Sequence, residues 1–422
     1  MSDTSDIISF VGEINTIKAE IISSTGVKID ISRLIGDLTM YEDIFSNTMS
    51  GYVLIQDSLD LIATLPMMGQ ELLNIEVKTP TLTNSIKKVF YIYKLQHRVV
   101  DTRTQTYMLN FCSQELIKSS NTKVSKAYSG KISDTVASIF TDSRYLDSSE
   151  LLYIEPSKNS YTFIAPFWSP IETINWIAGK CLNDKGVADY LFYETNQSFE
   201  FVSTDLLMRQ EPVREYIYAD MDVNTILGIN GMKEGKYSFV HKMENAITYD
   251  YLKNLSAGMY ASKLYTYDLT TKNINKHTFD YIEDFGKSSH LETTPLKTDD
   301  LFRKKLSNLY FIYKNNYQNG SYKQQGYKDF FLQRNSLLEQ LSAFKICITV
   351  DGRTDVKVGQ VIIFTINEIR QILKDEILAE GNSGYFSGKY LITAIRHQMI
   401  GGRHTMHMEI IADSFVKSLI TK

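Results

Sequence analysis

The sequence of 422 residues contains few of the features that mark secreted proteins, membrane proteins and disulfide-bonded scaffolds. Its three cysteines, Cys112, Cys181 and Cys347, are scattered without metal-ligand or redox spacing, which predicts reduced thiols at buried positions. No stretch approaches the roughly 18 uncharged apolar residues needed to cross a bilayer. The amino terminus has no basic start and no small-residue cleavage site, which argues against a signal peptide. We therefore expect synthesis in a cytoplasm and no membrane insertion by this chain.

Sequence motifs that carry catalysis are also missing. The chain has no glycine-rich phosphate loop, no dinucleotide-binding fingerprint and no Gly-x-Ser-x-Gly elbow. Carboxylate pairs such as Asp299-Asp300 and Asp375-Glu376 lie in polar surroundings, without the fixed separation that glycosidase chemistry requires. The net charge of −4 gives no overall attraction to nucleic acid. The sequence therefore predicts a protein that is not an enzyme and has no catalytic residue, cofactor or metal.

Aromatic residues are abundant, with 27 tyrosines and 21 phenylalanines, whereas the chain has only 7 prolines. Aromatic side chains favour strands, so the composition predicts a β-rich protein whose turns use Gly, Asn and Asp. An apolar content of 43% with 22% charged residues is typical of a folded globular chain. A chain of this length is too long for one core and should form several domains.

The amino-terminal part, residues 1–115, has the alternation of an antiparallel barrel. Strands are predicted at 52–55 and 72–77, and two further strands at 88–96 and 104–111 flank a polar turn, which indicates a hairpin.

Residues 116–218 have the pattern of a small α+β domain. A helix is predicted at 133–140, and a stronger one starts at Pro170. Ser169 and Glu172 have the spacing of a capping box at its start. A hairpin with its turn at Asn196-Gln197 follows and should form the sheet on which this helix packs.

The carboxy-terminal half is predicted to contain a second barrel that is split by an insertion. Strand-like sequence resumes at Tyr216 and around 244–251 and returns after residue 340. Residues 256–339 are rich in Tyr, Lys and Asn, and we interpret them as an insertion with a helix from Leu301 to about Lys314. The second barrel is then formed by residues 219–255 and 340–415, and residues 416–422 form a tail.

A repeat links the two predicted barrels. Residues 390–416 align without gaps on residues 90–116, at a constant offset of 300. Gly359-Gln360 precedes a strand in the same way as Gly69-Gln70. The identities at this offset are Ile92 with Ile392, His97 with His397, Arg103 with Arg403, and Met108 with Met408. We expect His97 and His397 to occupy equivalent strand positions in two copies of one domain.

Two clusters leave other functions open. His397, His404 and His407 could suggest a zinc site, but residues three apart on a strand point to opposite faces, so a wet hairpin is the better interpretation. The segment Phe302–Arg334 interleaves basic residues with tyrosines, a composition that can bind nucleic acid. Its alternative is a solvated insertion whose tyrosines pack on a neighbouring domain.

The order of three stretches resembles the baseplate hub proteins of contractile-tailed bacteriophages. The first is residues 52–77, with QDS and LPMMGQELLNIEV after a strand. The second is SPIETINWIAGKCLNDKG with the hairpin that follows it. The third is residues 334–364, followed by SGKYLITAIRHQM. The resemblance implies a β-rich α+β fold with two tail-tube-like antiparallel β-barrels, a small α+β domain and an insertion.

The resemblance also implies a structural role in the virion, at the tail baseplate, after assembly in the host cytoplasm. Three chains with two barrels each would form a homotrimeric ring that adapts a six-fold tail tube to a three-fold central spike. Its partners would be the tail tube protein, a separate spike protein, other baseplate proteins and DNA in transit. The channel should then be acidic or neutral, because fixed negative charge repels DNA.

Residues at turns become candidates for contacts with neighbours in such a ring. Methionine adapts to irregular surfaces, so Met67 and Met68 could bury a loop tip against another protein, although core filling explains them equally well. The candidates are Met67, Met68, Gly69, Gln70, Gly359 and Gln360. The basic residues expected outside the channel are Arg303, Lys304, Lys305, Lys314, Lys323 and Lys328.

Two alternatives to the phage hub remain. One is the hub of a bacterial contractile injection particle, which has the same fold. The other is a nucleic-acid-binding β-protein that uses the basic tyrosine-rich segment, residues 302–334. A stable trimer favours a hub, and a monomer with salt-sensitive DNA affinity favours the last alternative.

Overall fold

The secondary structure is predominantly strand. The computed structural model describes residues 11–14, 16–64, 67–80, 82, 85–219, 239–244, 251–268, 272–296, 310–315, 330–367 and 386–416. The amino-terminal elements are β1 (Thr16–Ile22), β2 (Lys28–Asp30), β3 (Ile35–Asp43), β4 (Ser50–Asp57), α1 (Leu61–Thr64), β5 (Leu72–Lys78), β6 (Ser85–Val100) and β7 (Gln105–Ser113). The chain continues through α2 (Gln114–Asn121), β8 (Ala127–Lys131), α3 (Ile132–Thr141), β9 (Leu152–Ile154), β10 (Ser160–Ile164), α4 (Pro170–Ala178), β11 (Tyr190–Glu194), β12 (Phe199–Ser203) and α5 (Thr204–Met208).

The carboxy-terminal half alternates between strands of the main sheet and an inserted region. Its first elements are β13 (Glu215–Ala219), β14 (Val240–Glu244), α6 (Tyr251–Ala257), β15 (Ala261–Asp268), β16 (Ile274–Asp280), α7 (Tyr281–Asp284), a 3-10 turn (Phe285–Lys287), β17 (Thr294–Pro295) and β18 (Tyr310–Asn315). The last elements are α8 (Phe331–Gln340), β19 (Lys345–Asp351), β20 (Val361–Asn367), β21 (Gly388–Ile400), β22 (Arg403–Ile411) and β23 (Ser414–Phe415).

One large sheet contains two sets of strands with the same connectivity. Its order is β14-β19-β22-β21-β3-β4-β7-β6-β5-β1-β2, and β20 pairs with β21 and with β13. We call β3-β4-β7-β6-β5 the amino-terminal unit and β14-β19-β22-β21-β20 the carboxy-terminal unit. In both units the first two strands in the chain are neighbours, and the other three follow them in reverse order. All pairs within the units are antiparallel, whereas β13 joins β20 in parallel.

The two units also agree in register. In each unit, four residues on four successive strands pair in a row across the sheet. The first residues of the two rows, Leu95 and Ile395, are 300 positions apart. The first row is Leu95, Leu109, Val53 and Leu38. The second row is Ile395, Met408, Ile348 and Met243. Both β6 and β21 also carry a bulge at positions 300 apart, Tyr93 and Thr393.

Apolar residues alternate along the strands and form a core on one face of each unit, as expected for half-buried strands. In β4, the side chains of Val53 and Ile55 are fully buried, and Phe90 contacts Phe111 from the neighbouring strands with ring centroids 4.7 Å apart. Glycine is required at position 51 of β4, because a Cβ there would lie 2.2 Å from the carbonyl oxygen of Thr39 on the neighbouring strand.

The helix and hairpin predicted for residues 116–218 are present. Ser169 Oγ accepts a hydrogen bond from the Glu172 amide, and the Glu172 carboxylate accepts one from the Ser169 amide, so the capping box forms. Helix α4 buries Ile174 and Ile177 in the core of this α+β domain. On its other side the domain contributes Tyr193, among other residues, to the core of the carboxy-terminal unit.

The structure corrects the helix predicted from Leu301 to about Lys314. Residues 310–315 form strand β18, which pairs in parallel with β15 beside β16. Pairing with a strand distant in sequence therefore overrides the local periodicity on which that helix was predicted. Residues 301–309 lie outside the described residues, as do Arg303, Lys304, Lys305, Lys323 and Lys328; Lys314 lies in β18.

Candidate functional site

The junction between the two units is a strand pair. Residues 394–400 of β21 pair antiparallel with residues 37–43 of β3, so one sheet continues from the carboxy-terminal unit into the amino-terminal unit. The carboxylate of Glu42 lies behind this pair, and its Oε1 is 2.9 Å from His397 Nε2. His397 Nδ1 is 3.0 Å from His404 Nε2 on β22. These three buried side chains connect both strands of the β21–β22 hairpin to β3.

The geometry of these three buried side chains determines how they share hydrogen bonds. If His397 donates from Nε2 to Glu42, its Nδ1 accepts the proton of His404 Nε2. The remaining nitrogen, His404 Nδ1, has no hydrogen-bond partner among the described residues. Burial, together with His397, holds the pKa of His404 well below its ordinary value, so His404 is neutral at pH 7.

The histidine cluster differs from the arrangement considered in the sequence. His404 is fully buried and His407 partly exposed, on opposite faces of β22, as the alternation predicts. His397 and His404 do meet, however, because the hairpin folds residues seven apart against each other. Across the part of the chain that the structure describes, no group of three or more His, Cys, Asp or Glu side chains is arranged to hold a metal ion.

Two strand edges of the units have no ladder partner among the described residues. Along β6, strand β5 pairs with residues 85–91 alone, so residues 93–100 have β7 on one side and no described strand on the other. Strand β14 pairs with β19; on its other side β13 lies close and is joined by the isolated bridge between Ile217 and Phe239, but no ladder is described there. Unpaired edges of this kind are templates for pairing with another chain.

The open part of β6 exposes apolar side chains. Tyr93 is 49% exposed, and Val99 and Val100 are each 66% exposed. Leu95 is 37% exposed, whereas its counterpart in the other unit, Ile395, is 1% exposed. A core residue is therefore left uncovered at this edge, as expected for a protein–protein contact.

The equivalence proposed for His97 and His397 remains a prediction. The bulge shared by β6 and β21 places both histidines four residues beyond it along their strands. Their surroundings differ, because His97 is exposed, has a φ of 54° and lies in a second bulge that β21 lacks. His397 is buried in a regular ladder opposite Met406.

The turn residues chosen as interface candidates fall into two groups. Met68 is 70% exposed, and its amide and those of Gly69 and Gln70 donate to the Glu71 carboxylate. Met67, in contrast, packs against the core of the amino-terminal unit.

The second group, the turn at Gly359 and Gln360, makes its contacts within the chain. Gly359 is buried, and a Cβ there would lie 2.5 Å from the Tyr193 hydroxyl. Gln360 Oε1 accepts from the Lys357 amide. An intersubunit role for these six turn residues stays a prediction, with Met68, Gly69 and Gln70 the accessible ones.

Buried charges between domains were missed in the sequence. Lys88 Nζ lies 3.0 Å from Glu194 Oε1 and 3.1 Å from Glu150 Oε2, which ties β6 to the α+β domain. An isolated lysine on a strand carries no signal of such a partner, because Glu194 is 106 residues away in the sequence.

Within the described residues, no helix is long and apolar enough to span a membrane.

The sequence matches no protein-family model and none of the curated proteins. Solved structures do resemble it. A tail protein from Neisseria meningitidis MC58 has a TM-score of 0.56 at 9% identity, over 94% of this chain and 97% of that chain. The prophage MuSo2 43 kDa tail protein from Shewanella oneidensis has a TM-score of 0.56 at 8% identity, over 95% of this chain and 100% of that chain. Prophage tail protein gp18 from Listeria monocytogenes EGD-e has a TM-score of 0.50 at 9% identity, over 93% of this chain and 94% of that chain.

These similarities extend over nearly the whole of each chain and identify the fold. The β-rich α+β fold predicted from the sequence is confirmed, with mostly antiparallel sheet and few helices. The resemblance to phage tail proteins is confirmed at the level of the fold, and these neighbours are named tail proteins. The chain has the fold of phage tail proteins.

Proposed function

We propose that this protein is a structural, non-enzymatic baseplate hub of a contractile phage tail. Three copies would form a ring that adapts a six-fold tail tube to a three-fold spike and leaves a channel for DNA. The observation that carries the proposal is the duplicated unit. Two units of the same connectivity and matching rows already lie side by side in one sheet, and the two strand edges that match their junction have no ladder partner among the described residues.

The junction within the chain supplies a template for the contact between chains. There, β21 of one unit pairs with β3 of the other. The counterpart of β21 is β6, and the counterpart of β3 is β14. We infer that residues 93–100 of one chain pair antiparallel with β14 of the next. Repetition of this contact around three chains would close a continuous barrel and pair both of these edges.

The register of this contact follows from the cross-strand rows. At the junction, Met399 lies opposite Leu38. Val100 lies opposite Gln105 as Met399 lies opposite His404, in each case four residues before the row residue of that strand, and Met243 takes the place of Leu38 in the second row. Val100 should therefore face Met243 of the neighbouring chain, which would cover part of the apolar side chain that is now exposed.

The face of the sheet opposite the cores would line the channel. It carries charges of both signs, some of them paired: Lys345 Nζ lies 3.0 Å from Glu409 Oε1, and Lys242 pairs with Glu244. Asp37 accepts from the Tyr52 hydroxyl at 3.1 Å. A face with balanced charge exerts little net attraction on phosphate, which supports passage of DNA rather than its retention.

The decisive experiment combines oligomer mass with a disulfide between chains. The purified protein should have three times the mass of one chain in light scattering and appear as a three-fold ring with a central hole in electron micrographs. A Val100→Cys, Met243→Cys double variant should form ladders up to a closed trimer under oxidation, because opposed strand residues have Cβ atoms about 4.5–5.5 Å apart. Each single variant should stay uncrosslinked.

A matched control uses another exposed valine, Val27, which is 53% exposed and lies in the turn between β1 and β2, outside the two strands of the proposed contact. The Val27→Cys, Met243→Cys double variant should give no trimer ladder. A monomer that binds DNA with strong salt dependence would reject the hub and favour a nucleic-acid-binding protein.

A further inference from the structure

A cavity of about 280 Å³ lies where three parts of the chain meet. The turn between β3 and β4 forms one side, α4 and β11 of the α+β domain form the second, and α8 forms the third. Its lining residues are Ile44, Phe45, Asn47, Asn175, Ala178, Tyr190, Leu191, Phe192, Arg334 and Leu338. Most of these side chains are apolar, and the few polar ones converge, which is the usual composition of a ligand site.

Arg334 is the charged group of this cavity. Its Nη1 donates to the carbonyl oxygens of Tyr190 at 3.0 Å and Ala178 at 3.5 Å. Among the described residues, no carboxylate forms a salt bridge with it. Burial lowers the pKa of Arg334, and Asp189 partly offsets that effect.

Asp189 does not neutralise the guanidinium by direct contact. Its Oδ2 accepts from the Thr204 hydroxyl at 2.5 Å and from the Asp205 amide at 2.7 Å. Arg334 therefore remains a partly buried cation held by neutral carbonyl groups, beside a cavity with room for an anion. A carboxylate matches the planar fork of an arginine side chain.

A pair of amides supplies a second donor. Asn47 Nδ2 donates to Asn175 Oδ1 at 2.9 Å and to the Phe192 carbonyl oxygen at 2.7 Å, which uses both of its hydrogens. Asn175 Nδ2 donates to Asn47 Oδ1 at 2.8 Å and keeps one hydrogen for another acceptor. The apolar wall ends at Phe45, which is 47% exposed and stands at the turn.

We propose that this cavity binds a carboxylate attached to an apolar group of about the size of a phenylalanine side chain, presented by the polypeptide of another tail protein. The polypeptide source rests on the proposed function, since a hub is surrounded by other tail proteins. Arg334 and Asn175 would hold the carboxylate, and the walls contributed by Phe45 and Leu338 would cover the apolar group.

Ligand-observed NMR titration tests the chemistry with two probes and their amides. The probes are 3-phenylpropanoate, which is a free acid, and acetyl-Gly-Gly-Phe, whose carboxylate is presented by a peptide. We expect both acids to bind, the peptide more tightly, and each amide to bind about 10- to 100-fold more weakly, because a hydrogen bond to a charged group is lost. Equal binding of acids and amides, or binding of neither acid, would overturn the proposal. Binding of the free acid alone would overturn the polypeptide source.

Three variants connect binding to the named residues. Arg334→Gln should weaken binding of both acids to the level of their amides. Phe45→Ala, at a turn where the side chain is 47% exposed, should weaken the acids and the amides alike by several-fold. Lys180→Gln is the control, because Lys180 lies near Arg334 yet does not line the cavity. If Lys180→Gln weakens the acids as much as Arg334→Gln, the assignment to Arg334 is wrong.

Oligomer mass separates this inference from the proposed function. Each of the three variants should still form the trimer, since none lies on β6 or β14. A trimer that does not bind the acids leaves the hub proposal standing and rejects the cavity. A monomer that binds them retains the carboxylate site and rejects the hub as the source of its partner.

Discussion

Replacing Lys88 with methionine removes the cation from a buried cluster while keeping most of the side-chain volume. The side chains of Lys88 and Glu194 are 3% and 2% exposed, and their charged atoms lie 3.0 Å apart. Glu194 also accepts hydrogen bonds from the Met49 amide, at 2.8 Å, and from the Ser113 hydroxyl. Without Lys88, a buried carboxylate loses its counter-charge, so we expect the free energy of unfolding to fall by about 3–5 kcal/mol.

The neighbouring residue provides a matched control. Lys87 lies on the opposite face of β6, and its Nζ is 3.1 Å from Glu76 Oε1, almost the distance of the buried pair. Its side chain is 66% exposed, so Lys87→Met should cost only about 0–1 kcal/mol. Equal losses for the two variants would refute the argument that burial sets the cost.

Urea unfolding followed by tryptophan fluorescence measures these losses. The ring centroids of the two tryptophans, Trp168 and Trp176, lie 5.2 Å apart in the α+β domain that also contains Glu194. Unfolding of the domain that loses the ion pair is therefore observed directly. A Lys88→Met, Glu194→Gln double variant should recover part of the loss, because no unpaired charge then remains buried.

The pH dependence of the Lys88→Met variant gives a second test. Burial raises the pKa of Glu194, and Lys88 is the strongest of the contacts that oppose this effect. Without Lys88 the folded-state pKa rises further above the unfolded value of about 4.3, so the native state binds the extra proton. The deficit of the variant should thus shrink as the pH falls from about 8 to about 5. A deficit that is constant across this range would contradict the mechanism.

Four further predictions concern single sites. His404 has a lowered pKa, so the unfolded state binds its proton first; stability should fall as the pH drops through about 6.5, with a smaller slope in His404→Gln, measured by thermal unfolding. Gly352→Ala would place a Cβ 2.0 Å from the His404 ring and should cost about 1–3 kcal/mol, whereas Gly286→Ala, with open space around it, should be close to neutral in the same assay. Ser169→Ala should cost about 0.5–2 kcal/mol in urea unfolding, and no loss would mean that the cap is not needed. Elemental analysis should find no stoichiometric zinc, and its presence would direct attention to His397 and His404.

Features that depend on neighbours in the sequence were predicted well. Helix α4 starts at Pro170 because Ser169 and Glu172 cap each other within one turn, an interaction that four consecutive positions determine. The hairpins formed by β6 with β7 and by β11 with β12 follow in the same way, from alternating apolar residues around a polar turn. The helix expected from Leu301 to about Lys314 is wrong over the described residues from 310 onward, since these form β18 and its partner β15 lies more than forty residues earlier.

Sequence by itself determined the β-rich composition, the local elements and the repeat at an offset of 300, because each depends on residue type and spacing along one stretch of chain. Only the tertiary structure decided that β21 joins β3, that Glu42 meets His397 across 355 positions, and that Arg334 borders a cavity without a carboxylate partner. Those contacts depend on which strands become neighbours. Such pairing is chosen by burial of the whole core, to which every apolar residue contributes and which no single segment encodes.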